Sequence, residues 1–234
     1  MSHPAGSNCG PPLYESGALP TELGWLRICV FYQIHFIRNL VQYIAMRLAV
    51  IGPQNTGKTT FIKDFIKAFP QYKTPKETYR DLVKKNKLKI NRETDQETQR
   101  AIRDFLFNQI KNFQGENVIF DRAMLDNYVY SLAQHQLGNI KKKFINETKK
   151  VMYASLNHID RLIFIPTAAD IVLISDKLRD INRPYIDHIN KLFLEEILEL
   201  ARQSPIPVWV ITGSRETRLK TIGEKLNQQS ASSL

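Results

Sequence analysis

The chain has 234 residues, 43% apolar and 24% charged, a composition for a folded protein with a sizeable core rather than for a disordered chain. Its formal charge of +10 favours anionic partners in general, but the basic residues are spread over Lys84–Lys89, Lys141–Lys143 and Lys149–Lys150, each in or beside a predicted helix, so a solvated face is a plainer reading than a nucleic-acid groove. Both cysteines, Cys9 and Cys29, lie in the first 30 residues, which excludes a disulfide or thiolate metal site in the rest of the chain.

Residues 2–24 are rich in Pro, Gly and Ser without periodicity and are expected to be disordered. Residues 25–45, WLRICVFYQIHFIRNLVQYIA, are apolar but broken by Arg27, His35 and Arg38, charges that a membrane-spanning helix tolerates poorly. No small-residue cleavage site follows, so a secretory signal does not fit either. An interfacial anchor, a packing helix and a non-core extension remain. The extension is preferred, because Met46 directly precedes the first core strand and residues 46–226 hold a whole predicted domain. With neither signal nor span, the cytoplasm is the expected compartment.

From Met46 the pattern alternates strand and helix. Arg47–Ile51 is a short apolar run and predicts a buried strand; Lys58–Phe69 carries Phe61, Ile62, Phe65, Ile66 and Phe69 at helical spacing. Helices are predicted over 78–87, 95–112, 126–136, 142–158, 184–202 and 216–226, with strands over 117–121, 161–166 and 208–212. Residues 227–234 read as a flexible tail. This alternation implies an α/β fold of three layers, a parallel sheet covered by helices on both faces.

Between the first strand and the first helix stands GPQNTGKT, residues 52–59. Its spacing and flanking elements are those of a phosphate-binding loop, the hallmark of the P-loop NTPase fold. Gly52, Pro53, Gln54, Asn55, Thr56, Gly57, Lys58, Thr59 and Thr60 form the loop, and its N–H groups, which Pro53 lacks, converge on phosphate oxygens, helped by the positive end of the helix. Lys58 reaches the β- and γ-phosphates of ATP or GTP, and the Thr59 hydroxyl ligates Mg²⁺. Asp121, at the end of the strand NVIFD, holds the same magnesium or else caps the next helix. Arg122 follows, where its guanidinium can grip phosphate or substrate with paired hydrogen bonds. A small GTPase is set aside: DRAMLD follows the second strand where a DxxG switch belongs, and no NKxD appears.

Four segments, GPQNTGKTT at 52–60, PKETYRDL at 75–82, FDRAMLDNYVYSLA at 120–133 and ADIVLISDKLRDINRPYID at 169–187, resemble the ATPase-domain family that includes the ribosylnicotinamide kinase domain of NadR, in the nucleoside and nucleotide kinase branch. The resemblance spans residues 46–226. It implies an ATP-dependent phosphotransferase with an acceptor site at Glu77, Arg80, Arg122 and Asp126, and a mobile segment carrying Arg179 and Arg183. Lys177 stands where the family usually has Gly, which puts the shape of that segment in question. Solvated helix-end roles for the two arginines, and an exposed Glu77 pairing with Arg80, are the alternatives. Glu77, Asp121 and Asp126 are equal candidates for the general base. Gly213, after the last strand, belongs to a loop that in this kinase class packs against the nucleotide base, or else to a simple turn. Tyr130 is read as core or pocket lining. Three functions follow in order: a kinase for a small nucleoside, nucleotide or ribosylnicotinamide-like acceptor, a nucleotide-responsive module with slow hydrolysis and a protein partner, and a nucleic-acid end kinase. Nucleic acid is ranked last, since no basic, aromatic-interleaved groove is legible.

Overall fold

The computed structural model describes residues 46–89, 94–113, 115, 117–168 and 182–232. The expectations for residues 1–45, and for Lys177 and Arg179, lie outside them.

Among the described residues, β1 is Arg47–Ile51, β2 Val118–Asp121, β3 Arg161–Phe164 and β4 Val208–Val210. The helices are α1 Lys58–Ala68, α2 Tyr79–Asn86, α3 Gln96–Asn112, α4 Met124–Gln136, α5 Lys142–Leu156, α6 Arg183–Gln203 and α7 Arg215–Ser232. The strands form one parallel sheet in the order β2-β1-β3-β4. Lys73 adds a single parallel bridge to the outer side of β2, donating to Asn117 O at 3.0 Å and accepting from Ile119 N at 2.9 Å.

Alternation along buried parallel strands sends residues to two cores. Ala49, Ile51, Phe120, Leu162 and Phe164 face a core shared with α3, α4, α5 and α6. Leu48, Val50, Ile119, Ile163 and Trp209 face the other, filled by Phe61, Ile62 and Phe65 of α1 and Ile222 of α7. Three layers with the sheet in the middle follow directly. Helix α4 is apolar around most of its circumference, with ten of its residues buried, as a helix packed between α3, α5 and α6 must be.

Local signals set the helix starts. Asp95 accepts from Thr98 N at 2.8 Å and caps α3, while Thr78 and Asp81 form a capping box that starts α2 at Tyr79. Helix α4 starts at Met124, two residues before the predicted start, because Asp126 is its third residue and reaches back to Ala123 N at 3.1 Å. Helix α7 runs to Ser232, past the end predicted at Leu226 and through most of the expected flexible tail; its Gln229 accepts a hydrogen bond from Arg161 Nη2. Among the described residues no helix is long and apolar enough to cross a membrane.

At the start of β1, Arg47 collects the carbonyls of Ile110, Phe113 and Gly115 at the end of α3 and that of His158 before β3. Helix α7 is held to α1 by a bidentate pair, Arg215 to Asp64 at 2.7 and 2.8 Å. The hydrogen bonds from Arg215 hold the Asp64 carboxyl below its ordinary 3.8, so the unfolded chain takes up this proton at a higher pH than the folded chain. The stabilisation is therefore present above the unfolded pKa and lost as pH falls through the lower folded value. Asp64→Asn is expected to melt at lower temperature than the wild type at neutral pH. That gap should close as the pH is lowered below the ordinary carboxylate value of about 4, followed by circular dichroism.

Candidate functional site

Where β1 ends, the chain must turn tightly against β3. A Cβ at Gly52 would lie 2.4 Å from the Ile165 carbonyl oxygen, and φ there is 137°. Gly57 takes φ 82° immediately before α1, which lets the loop curl and aim its amides inward. Thr56 Oγ1 donates to Pro53 O at 3.0 Å and braces the loop from within.

Lys58, 6% exposed, donates from Nζ to Gly52 O at 2.6 Å and also to Pro53 O. Burial first, and Arg122 second, bring its pKa down to about 7. The parallel register sets Asp121 beside Val50 at the carboxyl ends of the strands, the crevice where open α/β sheets bind ligands. Thr59 Oγ1 donates to Asp121 Oδ2 at 3.0 Å, so the expected metal-binding oxygens meet. Among the described residues there is no cluster of three His, Cys, Asp or Glu side chains for a metal. Two protein oxygens suit a magnesium that takes its other ligands from phosphate and water.

Residues 54–60 form one wall of a pocket of about 560 Å³, closed by Tyr79, Arg80, Asp121 and Arg122. A second pocket, of about 400 Å³, is lined by Tyr79, Gln99, Ile102, Leu106, Arg122, Asp126, Asn127 and Tyr130. The two share Tyr79 and Arg122. The Tyr79 hydroxyl accepts from Arg122 Nη2 at 3.1 Å and from Arg80 Nε at 3.4 Å, and the Arg122 guanidinium lies 4.4 Å from the Tyr79 ring centre.

Arg122 is 8% exposed and sits at φ 90°, a conformation of the left-handed half of the map that costs on the order of 1–3 kcal/mol for a side-chain-bearing residue. Its Nη1 donates to Asp126 Oδ1 at 3.0 Å. Burial works to lower the Arg122 pKa, but Tyr79 and Asp126 outweigh it and the guanidinium stays charged. Burial pushes the Asp126 carboxyl up, against the pull of Arg122 and Lys58.

The structure thus brings together the loop residues, Arg80, Asp121, Arg122 and Asp126. It leaves Glu77 exposed, ahead of the Thr78 cap and off the helix, with its carbonyl accepting from Gln109 Nε2 at 2.7 Å. Arg183 lies outside both pocket walls, bonded to Asp187 at 2.9 Å and to Ala168 O at 3.2 Å. Gly213 is exposed but tied to the phosphate loop: Arg218 donates to Gly213 O at 2.9 Å and to Thr56 O at 2.7 Å.

Tyr79, Gln99, Asn127 and Arg218 were not singled out as site residues by sequence reasoning. Gln99 had a signal: it is polar on the buried stripe of α3 that carries Ile102, Leu106 and Ile110. Its Oε1 accepts from Asn127 Nδ2 at 2.8 Å, which leaves the buried Asn127 Oδ1 without a partner at the second pocket.

A family model described as an AAA domain matches residues 47–218. Among solved structures, deoxyadenosine kinase from M. mycoides with its products dCMP and dCDP is similar at 21% identity and TM-score 0.59, over 78% of this chain and 99% of that one. NadR protein in complex with NR is similar at 15% identity and TM-score 0.59, over 86% of this chain and 58% of that one. Thymidylate kinase from Candida albicans is similar at 15% identity and TM-score 0.55, over 79% and 92%. These likenesses show the shared α/β P-loop fold. No protein of curated function matches the sequence.

The contrast between the two loop glycines is testable. A Cβ at Gly57 meets only the end of the Arg218 side chain, at 3.2 Å, whereas at Gly52 it meets backbone. Gly52→Ala is expected to lose about 2–4 kcal/mol of unfolding free energy and most nucleotide binding, against about 1–2 kcal/mol for Gly57→Ala. Urea unfolding and nucleotide titration of both variants check the order.

Proposed function

We propose a function from the premise that the chain belongs to the AAA domain family, matched over residues 47–218: it is an ATP-dependent kinase that transfers the γ-phosphate to a small nucleoside, nucleotide or ribosylnicotinamide-like acceptor in the cytoplasm. The working domain is residues 46–226. The observation that carries the reading is the meeting of two pockets, one built on the phosphate loop and one walled by aromatic and aliphatic side chains, at Arg122 and Tyr79.

ATP (or GTP) lies with its phosphates in the loop pocket, where Lys58, Arg80 and Arg122 concentrate positive charge. Thr59 and Asp121 hold a magnesium ion, which supplies neutralisation of the developing phosphate charge. The acceptor fills the second pocket, its flat ring between Tyr79, Ile102, Leu106 and Tyr130. The unpartnered Asn127 Oδ1 suits an amino or carboxamide group on that ring, because a buried acceptor left unpaired is costly. Arg122 and Asp126 orient the acceptor hydroxyl at the mouth they share with the phosphates.

In transfer, the acceptor oxygen bonds to the γ-phosphorus, the bond from that phosphorus to the β,γ-bridging oxygen breaks, and ADP leaves. The hydroxyl proton passes to Asp126, which lines the acceptor pocket and, unlike Asp121, is not committed to the metal. The names of the similar structures, kinases of deoxyadenosine and thymidylate and a protein holding NR, support this acceptor class.

ATP turnover by the purified protein is to be measured with a panel of nucleosides, nucleoside monophosphates and nicotinamide riboside. ADP release is expected to depend on one acceptor class and to fall at least about 100-fold in Lys58→Ala. Nucleotide binding with no acceptor-dependent turnover would overturn the kinase reading and favour the nucleotide-responsive module.

A further inference from the structure

The third residue of the phosphate loop carries a side chain whose bonding is half complete. Gln54 is 5% exposed and stands in the wall of the phosphate pocket with Lys58, Arg80 and Arg122. Its backbone N donates to Tyr130 Oη at 3.0 Å, and the Tyr130 hydroxyl in turn donates to Gln54 Oε1. One phenol therefore grips the residue at both its backbone and its side chain. Tyr130 takes up Oε1 and leaves Nε2 as the unused donor of the amide. Nε2 is buried and has no hydrogen-bond partner.

A buried amide donor without an acceptor is destabilising, and an amide held in one orientation by a neighbouring hydroxyl lacks the freedom to find another partner. Burial raises the Tyr130 pKa, so its hydroxyl keeps the proton that it donates to Oε1. The Tyr130 ring is itself fixed, edge-on to Phe193 at 6.5 Å and 5.4 Å from the Arg122 guanidinium. Tyr130 also lines the second pocket. The orphan donor thus belongs to the loop that takes the phosphates and is held by a residue of the pocket beyond it.

We propose that Gln54 Nε2 donates a hydrogen bond to a terminal oxygen of the γ-phosphoryl group, and that Tyr130 is the positioning residue that aims it. The proposal rests on the kinase reading for its catalytic consequence, since the γ-phosphoryl group is the one transferred. Its binding consequence does not: Gln54 makes the site prefer a nucleoside triphosphate to a diphosphate whether or not any acceptor is phosphorylated. A donor fixed before the reaction needs no reorganisation as negative charge shifts over the phosphoryl oxygens, and it adds to Lys58 without another charge.

The test is calorimetric titration of the full chain with Mg²⁺–ADP and with a magnesium complex of a non-hydrolysable ATP analogue. Gln54→Ala, Gln54→Glu and Tyr130→Phe are compared with the wild type. In Gln54→Ala the analogue is expected to bind roughly tenfold or more weakly, with ADP affinity within about twofold of wild type. Gln54→Glu keeps the acceptor for Tyr130 but places an oxygen where the donor stood, and should lose at least as much. Tyr130→Phe should lose part of the triphosphate preference while retaining ADP. The double variant Gln54→Ala, Tyr130→Phe should lose no more than Gln54→Ala alone, as required of a residue acting through its neighbour. Retained ADP binding shows that each variant is folded. Equal weakening of ADP and the analogue, or an unchanged analogue affinity in Gln54→Ala, would overturn the proposal. If Gln54 controls triphosphate preference but no acceptor is turned over, the kinase reading fails and the assignment of Gln54 stands.

Discussion

A guanidinium removed from water lies between the two pockets, and much of the surrounding architecture serves to hold it there. An unpaired charge at that depth is strongly disfavoured, so Arg122 requires the Asp126 carboxylate at 3.0 Å and the Tyr79 hydroxyl at 3.1 Å. Asp126 is in turn fixed by its place in the first turn of α4, where it also caps Ala123. Tyr79 is fixed by the capping box that begins α2. A pair of this kind is weak evidence for stability, since its Coulombic gain only offsets desolvation. What it secures is geometry: α2 is obliged to meet the junction of β2 and α4, 43 residues further on, at one charge.

The same economy governs the phosphate side. Gly52 lets β1 turn against Ile165, just past the end of β3, and the parallel register of β1 with β2 delivers Asp121 to Thr59. Two sheet neighbours and one tight turn are enough to set Thr59 and Asp121 in hydrogen-bond contact at 3.0 Å. Arg218 completes the ring from the far edge, joining the loop after β4 to the carbonyl of Thr56. Each contact binds a loop to a strand end, so the rigidity of the sheet is passed to a segment that on its own would move.

Much of this was legible in the sequence where one residue carries its meaning locally. The run RLAVI bounded by Gly52 predicts β1 with its observed limits, and the loop spacing announces the phosphate pocket. The strands predicted at 161–166 and 208–212 end earlier, at Phe164 and Val210, although Ile165 N and Ile211 N still make ladder-like bonds to Ile51 O and Phe164 O. The second pocket was hidden for a different reason. Beyond Arg122 and Asp126, which the sequence already marked, its polar lining comes from Gln99 and Asn127, on different helices, and only the packing of α3 on α4 makes them neighbours. Glu77 shows the converse: a residue that matches a family pattern sits in solvent because the capping box starts the helix two residues later.

The margins of the sheet are slight. On one side Lys73 contributes a single bridging residue, and on the other β4 is three residues long. Open strand edges are templates for unwanted pairing between chains, and length is what makes them dangerous. Among the described residues the template is at most a few peptides wide on either side, and on the β2 side it is blunted by a lysine. The brevity of the outermost strands therefore works with the net charge of +10 against edge-to-edge growth into fibrils.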